Sequence, residues 1–190
     1  MRYRTGLAEA LARAGAVKIG DFVLSSGIRS SYYIDLRHLT LDPATYRKLA
    51  EEIARAAAAS NPDALAGPEL GGALLAAYTA ALAGLPFTAV RLRRKEHGTR
   101  SVVEGDVDGL RVLIIDDVAT TGSTLIKAVE ALRGAGAEVR EALVAVDRCS
   151  GATSSLEEVE VRLRAVLTLE DFVKAGVLKG VEVGECAPRA

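Results

Sequence analysis

The segment Val112–Thr124, VLIIDDVATTGST, limits this chain more than any other. Its first four residues are apolar at both odd and even positions. A strand of that kind is buried on both faces, as in a parallel sheet covered by helices on either side. Asp116 and Asp117 follow at once, and two carboxylates cannot both be buried without partners. They must therefore face a cleft at the carboxyl end of the strand, where open α/β sheets bind ligands. Ala119, Thr120, Thr121, Gly122, Ser123 and Thr124 come next and lead into an apolar-periodic stretch. Amides at a helix start favour an anion, glycine allows close backbone approach, and hydroxyls add donors. The run holds neither a Gly-Lys-Ser/Thr phosphate loop nor a GxGxxG turn. A plain helix cap is the bland alternative, but a cap uses one hydroxyl and leaves the acid pair unexplained.

The rest of the chain agrees with an α/β class. A helix is expected over Thr5–Val17, a hairpin over Gly20–Leu39, and a helix opened by Asp42-Pro43 and running to about Ser60. Beyond these, strands alternate with helices of about a dozen residues, the signature of βαβ crossovers. The expected architecture is a central, mostly parallel sheet flanked by helices, with a small N-terminal hood. One domain spans 1–190, divided into a hood at 1–40, a core at 42–178 and a polar, mobile loop at 91–109. Aromatic residues make up only 4% of the 190, so Ala, Val, Leu and Ile must fill the core. The formal net charge of −1 gives no field for nucleic acid. No apolar run approaches a membrane span and no signal-peptide core is present, so a cytoplasmic protein without membrane partners is expected. Cys149 and Cys186 read as ordinary thiols, since their spacing fits neither a metal site nor a disulfide framework. One Asn, no Gln and a single Met point to a thermophile or to a GC-rich genome.

On these residues the chain resembles the type I phosphoribosyltransferases. VLIIDDVATTGSTL looks like their binding motif for phosphoribosyl diphosphate (PRPP). FVLSSGIRSSYYIDLR, AGPELGGALLAAYTAALAGLPF, VRLRRKEHGTRSVVEG and the Asp147-Arg148 pair look like the hood, pyrophosphate loop, catalytic loop and carboxylate-binding arginine of the orotate phosphoribosyltransferases. The resemblance spans about Gly20–Leu178. It implies the type I phosphoribosyltransferase fold and transfer of phosphoribosyl from PRPP to orotate, giving orotidine 5′-phosphate in pyrimidine synthesis. It implies that Asp116 and Asp117 hold the ribose and that Ala119–Thr124 cradle its 5′-phosphate. The same resemblance implies that Glu69, Leu70 and Gly71 present amides to the diphosphate. It likewise implies that Arg91, Lys95 and His97 neutralise or protonate it, while Ser25, Tyr33, Ile34, Thr120 and Arg148 bind orotate. Mg²⁺ is expected, held mostly through PRPP and water, with Asp116 and Asp117 as the protein carboxylates open to it. A homodimer is implied, in which loop 91–105 completes the partner's site.

The chain departs from the family's bacterial pattern at three places, with Leu92, Ser25 and Gly71 standing where lysines are usual. Two alternatives stay open: a phosphoribosyltransferase for another base, and a nucleotide-sensing regulator without catalysis. Tyr32 reads equally well as hairpin core, and His38 as a structural or solvent-facing histidine.

Overall fold

A computed structural model describes residues 2–23, 29–92 and 102–190 of the chain. Helix α1 (Arg2–Arg13) leads into an antiparallel pair, β1 (Val17–Val23) and β2 (Arg29–Ile34). A 3₁₀ turn (Leu36–Leu41) and α2 (Pro43–Ala58) follow. The core then alternates: β3 (Ala64–Pro68), α3 (Glu69–Ala83), β4 (Phe87–Val90), β5 (Val112–Ala119), α4 (Ser123–Gly134), β6 (Glu141–Asp147), α5 (Ala152–Glu157), β7 (Arg162–Thr168) and α6 (Leu169–Lys174). The five core strands form one parallel sheet in the order β4-β3-β5-β6-β7.

Local chemistry explains the principal elements. Asp42 caps α2 by accepting from the Thr45 N–H at 3.2 Å, and Pro43 occupies the first turn. Tyr46, Leu49, Ala50, Ile53 and Ala57 form its buried stripe. In β5, Leu113 and Ile115 enter the core under α2 and α3, while Val112 and Ile114 enter the core under α4. The strand is thus apolar on both faces because helices cover both. Strand order reverses between β3 and β5, since β3 continues to β4 on one side and pairs with β5 on the other. Such a reversal opens a crevice beyond the carboxyl ends.

Several expectations require correction. The first helix ends at Arg13, because Gly15 takes a left-handed φ of 81° and turns the chain into β1. The hairpin reading overruns: β2 stops at Ile34, and the Asp35 side chain accepts the Arg37 N–H at 3.1 Å to start the 3₁₀ turn. The closing helix, expected over LEDFVKAGVL (169–178), stops at Lys174, ahead of Gly176 at φ 71°. Cys149 and Cys186 are not free thiols; they form a disulfide across 37 positions. Linear spacing could not disclose this, because the 181–190 segment folds back along β7: the Ala165 N–H donates to Pro188 O at 3.0 Å, and the Ala190 N–H to Ala165 O at 2.9 Å.

Candidate active site

The acid pair stands in the crevice that the strand order opens. Asp116 is buried, and its Oδ1 accepts the Asp117 N–H at 2.9 Å. Asp117 Oδ1 accepts the Val118 N–H at 2.8 Å. Burial, reinforced by the adjacent Asp117 charge, holds the Asp116 carboxyl well above the usual carboxylate range. Burial also raises Asp117, against the pull of the Val118 N–H and the Arg37 guanidinium. The N-terminal turn of α3 accommodates the pair only because it lacks side chains there. A Cβ on Gly71 would overlap the Asp117 carboxylate, and one on Gly72 would lie 2.5 Å from Asp116 Oδ1. Glu69 begins this turn in the left-handed region at φ 48°, a strained conformation typical of ligand-binding loops.

Two clefts meet at Asp116. One, of about 780 Å³, is lined by Glu69, Leu70, Gly71, Asp116, Asp117, Thr120 and Thr124, by Tyr33 and Ile34 from the hood, and by Arg148. The second, of about 680 Å³, is lined by Glu69, Asp116, Ala119, Thr120, Thr121, Gly122, Ser123 and Thr124. Gly122 stands at φ 83° directly before α4, a conformation that favours glycine, so the loop turns sharply and delivers its amides to the second cleft. The geometry suits an anion at α4 and hydroxyls or a hydrated cation at the acid pair.

Arg148, at the end of β6, closes the other end of the first cleft. It is buried, and its Nη2 donates to Ser30 Oγ at 3.0 Å. Its Nε donates to the Tyr32 hydroxyl at 3.4 Å, and its guanidinium carbon lies 4.4 Å from the centre of the Tyr32 ring. Among the described residues it makes no ion pair. A buried guanidinium without a carboxylate is a costly arrangement that a bound anion relieves. Tyr32 is therefore core and site at once, and Ser30 is a site neighbour that the sequence reading missed.

The hood adds further polar groups to the same cleft that were not anticipated, namely Lys18, Asp35 and Arg37. Arg37 holds both Asp35 oxygens, at 2.8 and 3.0 Å, and Asp35 in turn raises its already high pKa. The Asp-Leu-Arg spacing that permits this fork was the available signal. His38 is half-exposed, with Nε2 3.1 Å from Lys18 Nζ. Tyr33 packs on Phe22 with ring centres 5.7 Å apart.

Arg91 lines neither cleft of its own subunit, and its Nε donates to Glu104 Oε1 at 2.6 Å. The legs of the polar loop are paired there, with the Arg91 N–H donating to Val102 O at 2.7 Å and the Glu104 N–H to Ala89 O at 3.0 Å. The Leu92 N–H donates to Glu69 Oε1 at 2.9 Å and ties one leg to the α3 turn. Ser25, Lys95 and His97 lie outside the described residues. A three-ligand metal cluster among the described residues is Asp147, Cys149 and Cys186, but its two sulfurs are joined in the disulfide. The acid pair therefore supplies hard oxygen donors rather than a closed cage, which fits a cation that retains most of its water.

Comparison with known proteins bears directly on this geometry. The family model described as "Phosphoribosyl transferase domain" matches residues 42–176. An orotate phosphoribosyltransferase of Methanopyrus kandleri is 47% identical over 169 residues, covering 89% of this chain and 91% of its own. One from Pyrococcus horikoshii is 39% identical and covers 94% of this chain and 98% of its own. Among solved structures, orotate phosphoribosyltransferase from Aeropyrum pernix superposes with a TM-score of 0.78 at 43% identity, over 90% of this chain and 99% of its own. The Mycobacterium tuberculosis enzyme solved in complex with PRPP superposes with a TM-score of 0.72 at 31% identity, over 90% of this chain and 98% of its own.

Proposed function

The chain belongs to the phosphoribosyl transferase family, and from that premise we propose that it is an orotate phosphoribosyltransferase. It transfers the 5-phosphoribosyl group of PRPP to orotate, giving orotidine 5′-phosphate and diphosphate. One observation carries the base assignment. A buried Arg148 without a carboxylate partner among the described residues faces the cleft whose other lining is the acid pair and the α4 turn. A ligand with a carboxylate at one end and a phosphoribosyl group at the other satisfies both ends.

The chain's residues divide the work by charge. The bond from ribose C1 to the diphosphate oxygen breaks, and a bond from C1 to the orotate ring nitrogen forms. Positive charge develops on the ribose ring, and negative charge on the departing diphosphate. Asp116 and Asp117 accept from the ribose hydroxyls and stabilise the cationic ring. Thr120–Thr124 and the α4 amides hold the 5′-phosphate. The amides of Glu69–Gly71 receive the diphosphate, and Arg91, Lys95 and His97 are assigned to neutralise its charge. Tyr33 and Ile34 cover the base together with Ser25, and Arg148 forks its carboxylate. Orotate enters as a ring-nitrogen anion, so no residue serves as general base. Type I phosphoribosyltransferases generally use Mg²⁺ with PRPP, where it offsets diphosphate charge; here Asp116 and Asp117 are the carboxylates that would approach it through water.

The working unit is a homodimer. Leu70, Leu74, Tyr78 and Leu82 form an exposed apolar row along α3, which supports a subunit contact. In that dimer, loop 91–105 of one subunit serves the partner's site. No helix among the described residues is long and apolar enough to cross a membrane. We place the reaction in the cytoplasm of a thermophile, a setting in which an intracellular disulfide is not anomalous.

The decisive assay offers orotate, uracil, adenine and hypoxanthine with PRPP and Mg²⁺ and follows nucleotide formation. Orotidylate alone is expected. Turnover with another base and none with orotate would overturn the assignment.

A further inference from the structure

Arg148 is aimed into the cleft without a carboxylate of its own to hold it; its N–H donates to Ala119 O of β5 at 2.9 Å, which sets its backbone on one side, and the turn that follows sets it on the other. Four features converge on that turn. The buried Asp147 carboxylate accepts the Cys149 N–H through Oδ1 at 2.9 Å and the Ala187 N–H through Oδ2 at 2.7 Å. Cys149 itself stands in the left-handed region at φ 55°, an unusual conformation for a residue with a side chain. The disulfide then joins Cys149 to Cys186. Gly184 lies so close over the turn that a Cβ there would sit 2.5 Å from the Cys149 carbonyl oxygen.

The other end of this grip is firm. The 187–190 stretch is hydrogen-bonded to Ala165 of β7, and Arg189 reaches Glu170 at 3.1 Å and Asp171 at 3.2 Å on α6. Arg4 Nη2 donates to Ala190 O at 2.6 Å. We propose that Asp147 and the Cys149–Cys186 disulfide form a clamp that positions Arg148 for the substrate carboxylate. The inference rests on the assignment of Arg148 given above. The clamp acts through backbone. Without the covalent tie the 149 turn relaxes out of its left-handed conformation, and the guanidinium shifts relative to the acid pair. Asp116, Asp117 and the α4 turn belong to β5 and its loop, so the PRPP half of the site keeps its geometry.

The chain has two cysteines, so a reductant acts on this bond alone. Dithiothreitol supplies two electrons and two protons, leaves two thiols and closes to its own cyclic disulfide. The test measures kcat and both KM values for the full-length protein, oxidised, reduced and re-oxidised. The Cys149→Ser/Cys186→Ser protein and Arg148→Ala complete the set. Breaking the bond is expected to raise the orotate KM roughly tenfold, with kcat and the PRPP KM changed by no more than about twofold. Re-oxidation should restore the original value. An unchanged orotate KM in reduced protein, or a loss confined to kcat from a smaller folded fraction, overturns the clamp. Arg148→Ala separates the two readings. If it raises the orotate KM while bond breakage does not, only the clamp falls. If Arg148→Ala leaves that KM unchanged, the arginine assignment falls and the clamp with it.

Discussion

At the scale of single residues, the acid pair sets function against stability. Asp116 has a folded pKa above its unfolded value, so folding favours its protonated form. The cost of burying its charge is absent below the unfolded pKa of about 4 and is complete once pH has risen through the raised folded value. Asp116→Asn is therefore expected to stabilise the protein at pH 7 by about 1 kcal/mol. The same change should cut turnover by roughly 10²–10³-fold. Denaturant unfolding at pH 7 and pH 4, with an assay of the same preparations, checks both effects. The stability gain should shrink at the lower pH, and an Asn variant less stable at pH 7 would contradict the reading. Gly71 gives a second case. A methyl group there overlaps the Asp117 carboxylate, so Gly71→Ala should cost about 1–3 kcal/mol of stability and raise the PRPP KM. This also explains a departure evident in the sequence: a lysine cannot occupy position 71 while Asp117 holds this place. The acids and the glycine–hydroxyl run were legible because their chemistry is local. The contacts of Arg148 with Ser30 and Tyr32 were not, since they span 118 and 116 positions.

At the scale of elements, legibility followed the physical signal. Asp42-Pro43 and the stripe beyond it announced α2, and its observed start agrees. The 3₁₀ turn after Asp35 and the short α5 had no such signal. One depends on a side chain folding back on its own backbone, and the other is only six residues long. Helix α3 is apolar around most of its circumference, and its row Leu70, Leu74, Tyr78 and Leu82 stays exposed although the Tyr78 ring lies 5.5 Å from that of Tyr46 in α2. Leu74→Glu would place an unpaired charge in the proposed subunit contact, a penalty of about 3–5 kcal/mol. Sedimentation equilibrium should then find monomer where the proposed dimer is expected of the unsubstituted chain, and activity should fall with the dimer. A variant that stays dimeric would remove α3 from the interface.

At the scale of the whole molecule, the disulfide ties the last described segment to the loop after β6. Its loop of 37 positions is worth about 4 kcal/mol on the chain-entropy account. Calorimetric melting with and without dithiothreitol should show a clear drop in Tm on reduction, and equal melts would refute this contribution. The sequence alone settled the α/β class, the acid pair's place at a strand end, the glycine–hydroxyl turn before α4 and the family resemblance. Each of these depends on residues adjacent in the chain or repeated at the period of a helix or strand. Only the tertiary structure decided that Arg148 lies against Tyr32 of the hood, that Gly71 and Gly72 make room for the acids, and that Cys149 meets Cys186. Those relations are set by the strand order and by the segment that folds back along β7, and no local pattern encodes a distance between parts of the chain so far apart.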